Sequence, residues 1–308
     1  MNFELRVRVP GSSANLGPGF DVLGLALELY LEVRLAEPEP DAPLVRLLGP
    51  HTSGIPTDDS NLVWVGFRKA FERARRSAPR VRLELNNAIP LGRGLGSSGA
   101  ALVAGVVLAN HCGGLGLSRL EELALAAEVE GHPDNVAASC LGGLAVACPS
   151  EKGIEVLALS WPAEISLVMA VPEFELETKK ARAALPPFYS RADAVFNLQR
   201  VALLVGAVAQ GGEGGRARAR QMAAALSDRL HQPYRAPLVP GLRQALGLRL
   251  DGLLGVALSG AGPSLIAFVE GQAQPAIAAL QRIYRDLGLP AEVRPVNIDK
   301  HGAVVLPT

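Results

Sequence analysis

A chain of 308 residues, 49% of them hydrophobic, can bury a substantial core, and its 30 Lys plus Arg are balanced by 30 Asp plus Glu. That balance excludes a global field for nucleic acid or an anionic membrane, so neither is expected as a partner and any basic site must be local. Cys112, Cys140 and Cys148 are odd in number and none lie two residues apart, which excludes a disulfide framework and a zinc pattern and fits a reducing, cytoplasmic location.

At the N-terminus, Phe3, Leu5, Val7 and Val9 alternate with Glu4, Arg6 and Arg8, the signature of a strand, with no signal-peptide block to imply export. Gly11 to Gly19 reads as a glycine-bearing loop, and Val22 to Leu35 as a second strand. Ala36 to Asp59 carries Pro38, Pro40, Pro43, Pro50 and Pro56 and should be irregular scaffold until a helix over Leu62 to Arg76. Val81 to Leu85 alternates as a strand. A loop over Asn86 to Gly96 then feeds a helix from Ser97 to Asn110, ended by Gly113 and Gly114. The next helix, Ser118 to Gly131, has Ser118 as N-cap and Glu121 at the capping-box position. Gly142 to Cys148 is small and apolar like a strand, and a turn at Pro149 to Gly153 leads to a boundary before Pro162. Two units follow from this, residues 1–160 and 161–308.

The second unit opens with a strand at Ile165 to Val171 and continues through Thr178 to Leu185. A helix over Ala192 to Gln210, a glycine segment at Gly211 to Gly215 and a helix over Arg216 to Leu230 come next. Strands at Leu253 to Leu258 and Leu265 to Val269 are joined by Ser259 to Ser264. A helix (Pro275 to Leu287) and a strand (Ala291 to Val296) close the chain. The longest apolar runs, Gly99 to Ala109 and Val201 to Ala209, are shorter than the ~20 residues that span a bilayer. Strands and helices interleave irregularly, which favours α+β over a doubly wound parallel sheet.

The strongest chemical signal is Pro90, Leu91, Gly92, Arg93, Gly94, Leu95, Gly96, Ser97, Ser98, Gly99 and Ala100. Glycines let backbone N–H groups approach an anion, serines add hydroxyls, and the following helix offers unpaired N–H groups and its positive dipole end. A polyphosphate suits such a loop. Gly94, Gly96 and Gly99 also satisfy the dinucleotide fingerprint, but the context fails: a long loop precedes them, and the acidic residues that follow, Glu121 and Glu122, lie in a helix. No Lys follows the glycines as a Walker A loop requires. A glycine-rich turn under a closely packed small-residue helix is the plain structural alternative.

The longer string resembles the ATP-binding motif of the GHMP superfamily, which groups galactokinase, homoserine kinase, mevalonate kinase and phosphomevalonate kinase. Pro10 to Asp21, reading Pro-Gly-Ser-Ser-Ala-Asn-Leu-Gly-Pro-Gly-Phe-Asp, resembles the first superfamily motif in its homoserine kinase form, and Gly260 to Ser264 resembles the third. The resemblance implies a two-domain α+β GHMP kinase fold, with an N-terminal domain like ribosomal protein S5 domain 2, a ferredoxin-like C-terminal domain and the active site between them. It also implies ATP and Mg²⁺, L-homoserine as acceptor, O-phospho-L-homoserine as a product on the way to threonine, and a homodimer. Alternatives are a related kinase for a mevalonate-like acid or a sugar, and a binder that kept the fold without catalysis.

Family members place a helix glutamate upstream of the segment His132-Pro133-Asp134-Asn135. This makes Glu128 the candidate metal ligand and catalytic residue, together with Ser97, while Glu130 competes because the spacing is shortened. A homoserine ammonium would find Asp21, its carboxylate Arg182 and Arg235, and its polar chain Asn15. The segments around Thr178 and Arg235 resemble those that carry substrate contacts in homoserine kinases, and His132 resembles a further contact. Asn135 stands where many superfamily relatives have Asp, which implies that the hydroxyl is activated by positioning, with adjacent Asp134 as the rival base. Taken singly, Asp21 reads as a cap, the arginines as surface charges, His132 as a satisfied buried histidine, and Glu128 and Glu130 as solvated helix carboxylates.

Overall fold

The computed structural model describes residues 4–40, 42–151, 153–210 and 215–306; Phe3 and the glycine segment 211–214 lie outside them. β1 (Arg6–Asn15) and β2 (Gly19–Ala36) form a long antiparallel hairpin, with Val7 and Val9 of the alternating segment fully buried. The expected loop from Gly11 to Gly19 is corrected. Gly11 to Asn15 continue β1, paired from Leu27 back to Gly19, and only residues 16–18 turn. The small residues here serve close packing: Ser12 and Ser13 are fully buried.

β3 (Val45–Leu48) lies within the proline-rich stretch and pairs in parallel with β4 (Arg82–Asn87), and α1 (Leu62–Arg73) runs between them in the chain. Asn61 caps α1 by accepting from Val63 N, and the helix stops short of Arg76 because Arg75 turns to a φ of +54°. α2 (Ser97–Gly113) is apolar all round and accordingly buried, packed against α1 and β1. It ends at Gly114 in the left-handed region, as expected from its glycine pair. α3 (Arg119–Glu130) has the expected capping box between Ser118 and Glu121. α4 (Asp134–Leu141), which sequence patterning did not suggest, crosses β2 so closely that any Cβ at Gly24 would meet the Asp134 carbonyl. β5 (Leu144–Ser150) pairs with β2 and with β6 (Gly153–Leu159).

Among the described residues the second sheet is antiparallel, ordered β10-β7-β9-β8. In chain order this half of the molecule comprises β7 (Ile165–Pro172), α5 (Thr178–Ala183), α6 (Arg191–Ala209), α7 (Gly215–Ala225), α8 (Gln232–Arg235), α9 (Leu242–Leu246), β8 (Leu253–Leu258), β9 (Leu265–Glu270), α10 (Gln274–Asp286) and β10 (Ala291–Val296). α7 stops well before the expected Leu230. Downstream, the Asp228 carboxylate takes the N–H groups of Leu230, His231 and Gln232, holding the backbone out of the helix. α6 extends the apolar run at its C-terminal end to 19 residues and by length and composition alone could cross a membrane. Its buried Asn197 instead donates to Pro18 O and to Asp228, tying the helix to both sheets' loops.

The expected division at residue 160 falls between β6 and β7, but the end of the chain is a correction. β11 (Val304–Leu306) returns to the edge of the first sheet, which runs β11-β1-β2-β4-β3, and Leu27 bridges Ile298. Residues 297–306 therefore pack with the first unit. Two cores fill the fold: one lies under the first sheet around α2 and continues through β7, α6, α7 and β9, and a second lies on the other face of β7 and β9, against α10.

Candidate active site

The loop from Pro90 to Gly96 joins β4 to α2. Gly96 is the N-cap of α2 at a φ of +70°, and any Cβ there would run into Ser12 Oγ, so only glycine fits. Among the described residues no side chain caps α2, which leaves the first-turn N–H groups to an outside partner. Four successive carbonyls of the loop are occupied from elsewhere. Gly92 O accepts from Leu176 N, Arg93 O from Ser264 N, Gly94 O from Ser259 Oγ at 2.7 Å, and Leu95 O from Ser12 N at 3.0 Å. With its acceptors tied back by Ser12, Leu176, Ser259 and Ser264, the loop keeps its donors for an anion.

This loop borders a cavity of about 540 Å³, a size suited to a small-molecule site. Pro90, Leu91, Gly92, Arg93, Gly94, Leu95, Gly96, Ser97 and Ser98 line it, whereas Gly99 and Ala100 turn into the packing of α2. Asn15, Asp21, His132, Asn135, Thr178, Arg182 and Arg235, all singled out from sequence, line the same cavity, as does Asp134. Glu128 does not. Its side chain is 62% exposed and bound to Lys69 Nζ at 2.7 Å, so the expectation for Glu128 is corrected. Glu130 lines the cavity instead and accepts from Ser98 Oγ at 2.5 Å. Ser97 borders the cavity too, but the hydroxyl that meets the carboxylate is that of Ser98. A hydroxyl and a carboxylate side by side at a polyphosphate loop are the hard oxygen donors that suit Mg²⁺, which takes few protein ligands and completes its shell with phosphates and water.

At the other end, Arg182 holds Asp21 in a bidentate pair, and Asp21 sits at a φ of +56°. Its backbone N–H donates to Asn15 Oδ1, and Asn15 Nδ2 donates to Gly260 O at 2.8 Å. The Asn15 amide thus fixes the turn with one N–H and one lone pair, and its second N–H and second lone pair remain where it borders the cavity. Arg235 is buried, donating from Nε to Ala181 O and from Nη1 to Gly260 O. Burial pulls its pKa down to about 10, which still leaves it charged at neutral pH. Phe20 lies under both guanidinium groups, 5.2 Å from Arg235 and 5.7 Å from Arg182.

Between the two ends, His132 Nδ1 donates to Asp134 Oδ1 at 2.8 Å, and that oxygen also accepts from Asn135 N at 2.7 Å. The hydrogen bond to Asp134 raises the His132 pKa against the opposing effect of burial. Asn135 Oδ1 accepts from Ser12 Oγ at 2.9 Å. Sequence reasoning missed an apolar lobe of the cavity formed by Ile55, Pro56, Leu62, Val63 and Leu85. Ile55 and Pro56 fall in the segment read as scaffold, and no local pattern marks them.

The sequence matches the GHMP kinases N terminal domain over residues 61–143 and the GHMP kinases C terminal domain over residues 207–286. It is 45% identical to a homoserine kinase of Solibacter usitatus, covering 98% of this chain and 97% of the relative. It is 40% identical to a homoserine kinase of Microchaete diplosiphon over 97% of this chain and 96% of that one. Among solved structures, homoserine kinase from Cytophaga hutchinsonii superposes with a TM-score of 0.84 at 29% identity, over 99% of this chain and 98% of that chain.

Proposed function

The chain belongs to the GHMP kinases, on their homoserine kinase branch, and from that premise we propose that it transfers the γ-phosphoryl group of ATP to the hydroxyl of L-homoserine, a step of threonine biosynthesis. The observation that carries this reading is a single cavity with an anion-accepting loop at one end and an acid flanked by two arginines at the other. Sugars and mevalonate-like acids carry no ammonium for Asp21 to meet.

In this reading the triphosphate lies along residues 92–98 and the first turn of α2, and the purine fills the apolar lobe between Ile55 and Leu85. Ser98 and Glu130 hold Mg²⁺, which when bound neutralises phosphate charge and helps align the transferred group. Asp21 accepts from the substrate ammonium while Arg182 and Arg235 fork onto its carboxylate, so the bidentate pair between Asp21 and Arg182 is exchanged for two pairs with the zwitterion. Thr178 and His132 contact the amino acid from α5 and from the start of α4. One oxygen of Asp134 is already shared between His132 and Asn135 N. With Asn135 standing where many superfamily relatives carry Asp, the hydroxyl is activated by placement beside the phosphates, with no protein base. A two-domain division near residue 160, a cytoplasmic location and a homodimer complete the proposal; the exposed Val195, Leu198 and Leu203 on α6 support the last.

An ADP-coupled assay with Mg-ATP and, in turn, L-homoserine, L-threonine and mevalonate tests the reading. Turnover with homoserine alone is expected; turnover with mevalonate and none with homoserine overturns it.

A further inference from the structure

His231 is fully buried beside the amino-acid end of the cavity and has no part in the roles given above. Its Nε2 lies 2.8 Å from Gly17 O, a residue of the turn between β1 and β2, and its Nδ1 lies 3.3 Å from Arg235 Nη1. A carbonyl oxygen only accepts and a guanidinium only donates, so both contacts hold together for one form of the ring. That form is neutral, with the proton on Nε2 and the lone pair on Nδ1 facing Arg235.

The nearby carboxylate does not change this assignment. Asp228 Oδ2 is 3.6 Å from Nε2, but Asp228 already accepts from the N–H groups of Leu230, His231 and Gln232 and from the Asn197 amide, which fills its lone-pair sites. Burial holds the imidazole below its usual pKa, with the Arg235 charge adding to the effect and Asp228 opposing it. A proton on Nδ1 would set two donors face to face. The ring is also stacked on Phe20, at 5.3 Å between centroids and 23° between planes. Phe20 precedes Asp21 in sequence. One imidazole therefore touches the turn that presents Asp21, from the first sheet, and the guanidinium of Arg235, from the second half of the chain.

Resting on the reading of Asp21 and Arg235 as the partners of the two charged ends of the substrate, we propose that His231 is a positioning residue that sets the separation of those partners before the amino acid arrives. Its work is done through Arg235 and the Gly17 turn, without contact to either substrate. Binding of homoserine is the property it controls.

Two substitutions separate the contacts. In His231→Asn the amide oxygen takes the place of Nδ1 and keeps an acceptor for Arg235. In His231→Gln the amide nitrogen takes the place of Nε2 and keeps the donor to Gly17, but the acceptor is lost. His231→Gln is expected to raise the KM for homoserine about tenfold, the effect of one hydrogen bond to a charged group, and His231→Asn by about threefold. The KM for ATP and kcat should move by less than about twofold in both, as expected where only homoserine binding weakens. Equal rises in the two variants, or losses falling on kcat or on ATP, overturn the proposal. Nitrogen NMR of the histidine-labelled wild-type protein decides the matter even if a variant fails to fold: a neutral Nε2–H ring is expected at neutral pH, and an imidazolium or an Nδ1–H ring overturns it. Wild-type protein that leaves homoserine untouched would defeat the kinase reading, and the ring's protonation state would still judge the geometry proposed for His231.

Discussion

Arg182 donates to both carboxylate oxygens of Asp21, Nη1 to Oδ2 at 2.9 Å and Nη2 to Oδ1 at 2.7 Å, so two groups assigned to opposite ends of the amino acid neutralise each other across the cavity. Both side chains remain more than a third exposed, at 38% and 35%, and an ion pair in that setting adds at most about 1 kcal/mol to stability. Loss of either partner should consequently appear in binding and hardly at all in folding. Asp21→Asn is expected to raise the KM for homoserine roughly 10- to 100-fold, the range for one hydrogen bond to a charged group. The KM for ATP and the unfolding temperature should stay near wild type. Arg182→Lys should not restore the wild-type KM, because an ammonium cannot reproduce the forked geometry. Steady-state kinetics with each substrate varied, alongside a thermal melt, checks these outcomes.

Glu130 and Glu128 make a matched pair for testing the metal end. Glu130→Gln removes the carboxylate beside Ser98 and is expected to lower kcat by at least about a hundredfold, the scale of losing a well-placed electrostatic group, and to raise the Mg²⁺ concentration needed for half-maximal rate. Glu128→Gln removes only the exposed contact to Lys69, and activity and stability should stay close to wild type. A Mg²⁺ titration of both variants separates them. Equal damage would show that the face of α3 has been read wrongly.

If the hydroxyl is activated by placement, Asp134 is dispensable as a base. A general base contributes ~100- to 10,000-fold, so a loss of less than about tenfold in kcat for Asp134→Asn marks the absence of that role. Asp21→Ala should lose far more in kcat/KM. A collapse of Asp134→Asn to the level of Asp21→Ala, with the fold intact by circular dichroism, would make Asp134 the base.

The same carboxylate gives a pH signature. The His132 pKa is raised above the ordinary imidazole value, first by its hydrogen bond to Asp134. A group raised in the folded state gives its full stabilisation below the unfolded value and loses it as the pH climbs through the folded value. The wild-type protein should therefore exceed Asp134→Asn in unfolding temperature by more at a pH of about 6 than at about 9. Melts across that range check the sign; a gap that widens with pH contradicts it.

Much of this site was legible because its chemistry is written locally. The run from Pro90 to Ala100 carries its glycines, serines and helix start in one stretch, and the capping box at Ser118 and Glu121 needs only a three-residue spacing. The choice between Glu128 and Glu130 was harder. They lie about 160° apart around a helix, so the decision requires knowing which face of α3 turns inward. Leu123, Ala126 and Ala127 are buried on that face, and Glu130 follows them at i+7, i+4 and i+3, a signal that was present in the sequence. The serines and glycines of β1 looked like a loop because a strand lying tightly under helices uses the same small residues as a turn. The return of β11 to β1 and the apolar lobe at Ile55 depend on contacts far apart in the chain, and no local pattern encodes them.

Where the two ligands sit decides the assignment of both ends of the cavity. A crystal structure of the protein with Mg²⁺, a non-hydrolysable ATP analogue and L-homoserine should place the triphosphate against the amides of residues 92–98 and the amino acid between Asp21 and Arg235, its hydroxyl facing the terminal phosphate. A triphosphate bound away from that loop, or homoserine bound outside the reach of Asp21 and Arg235, would contradict it.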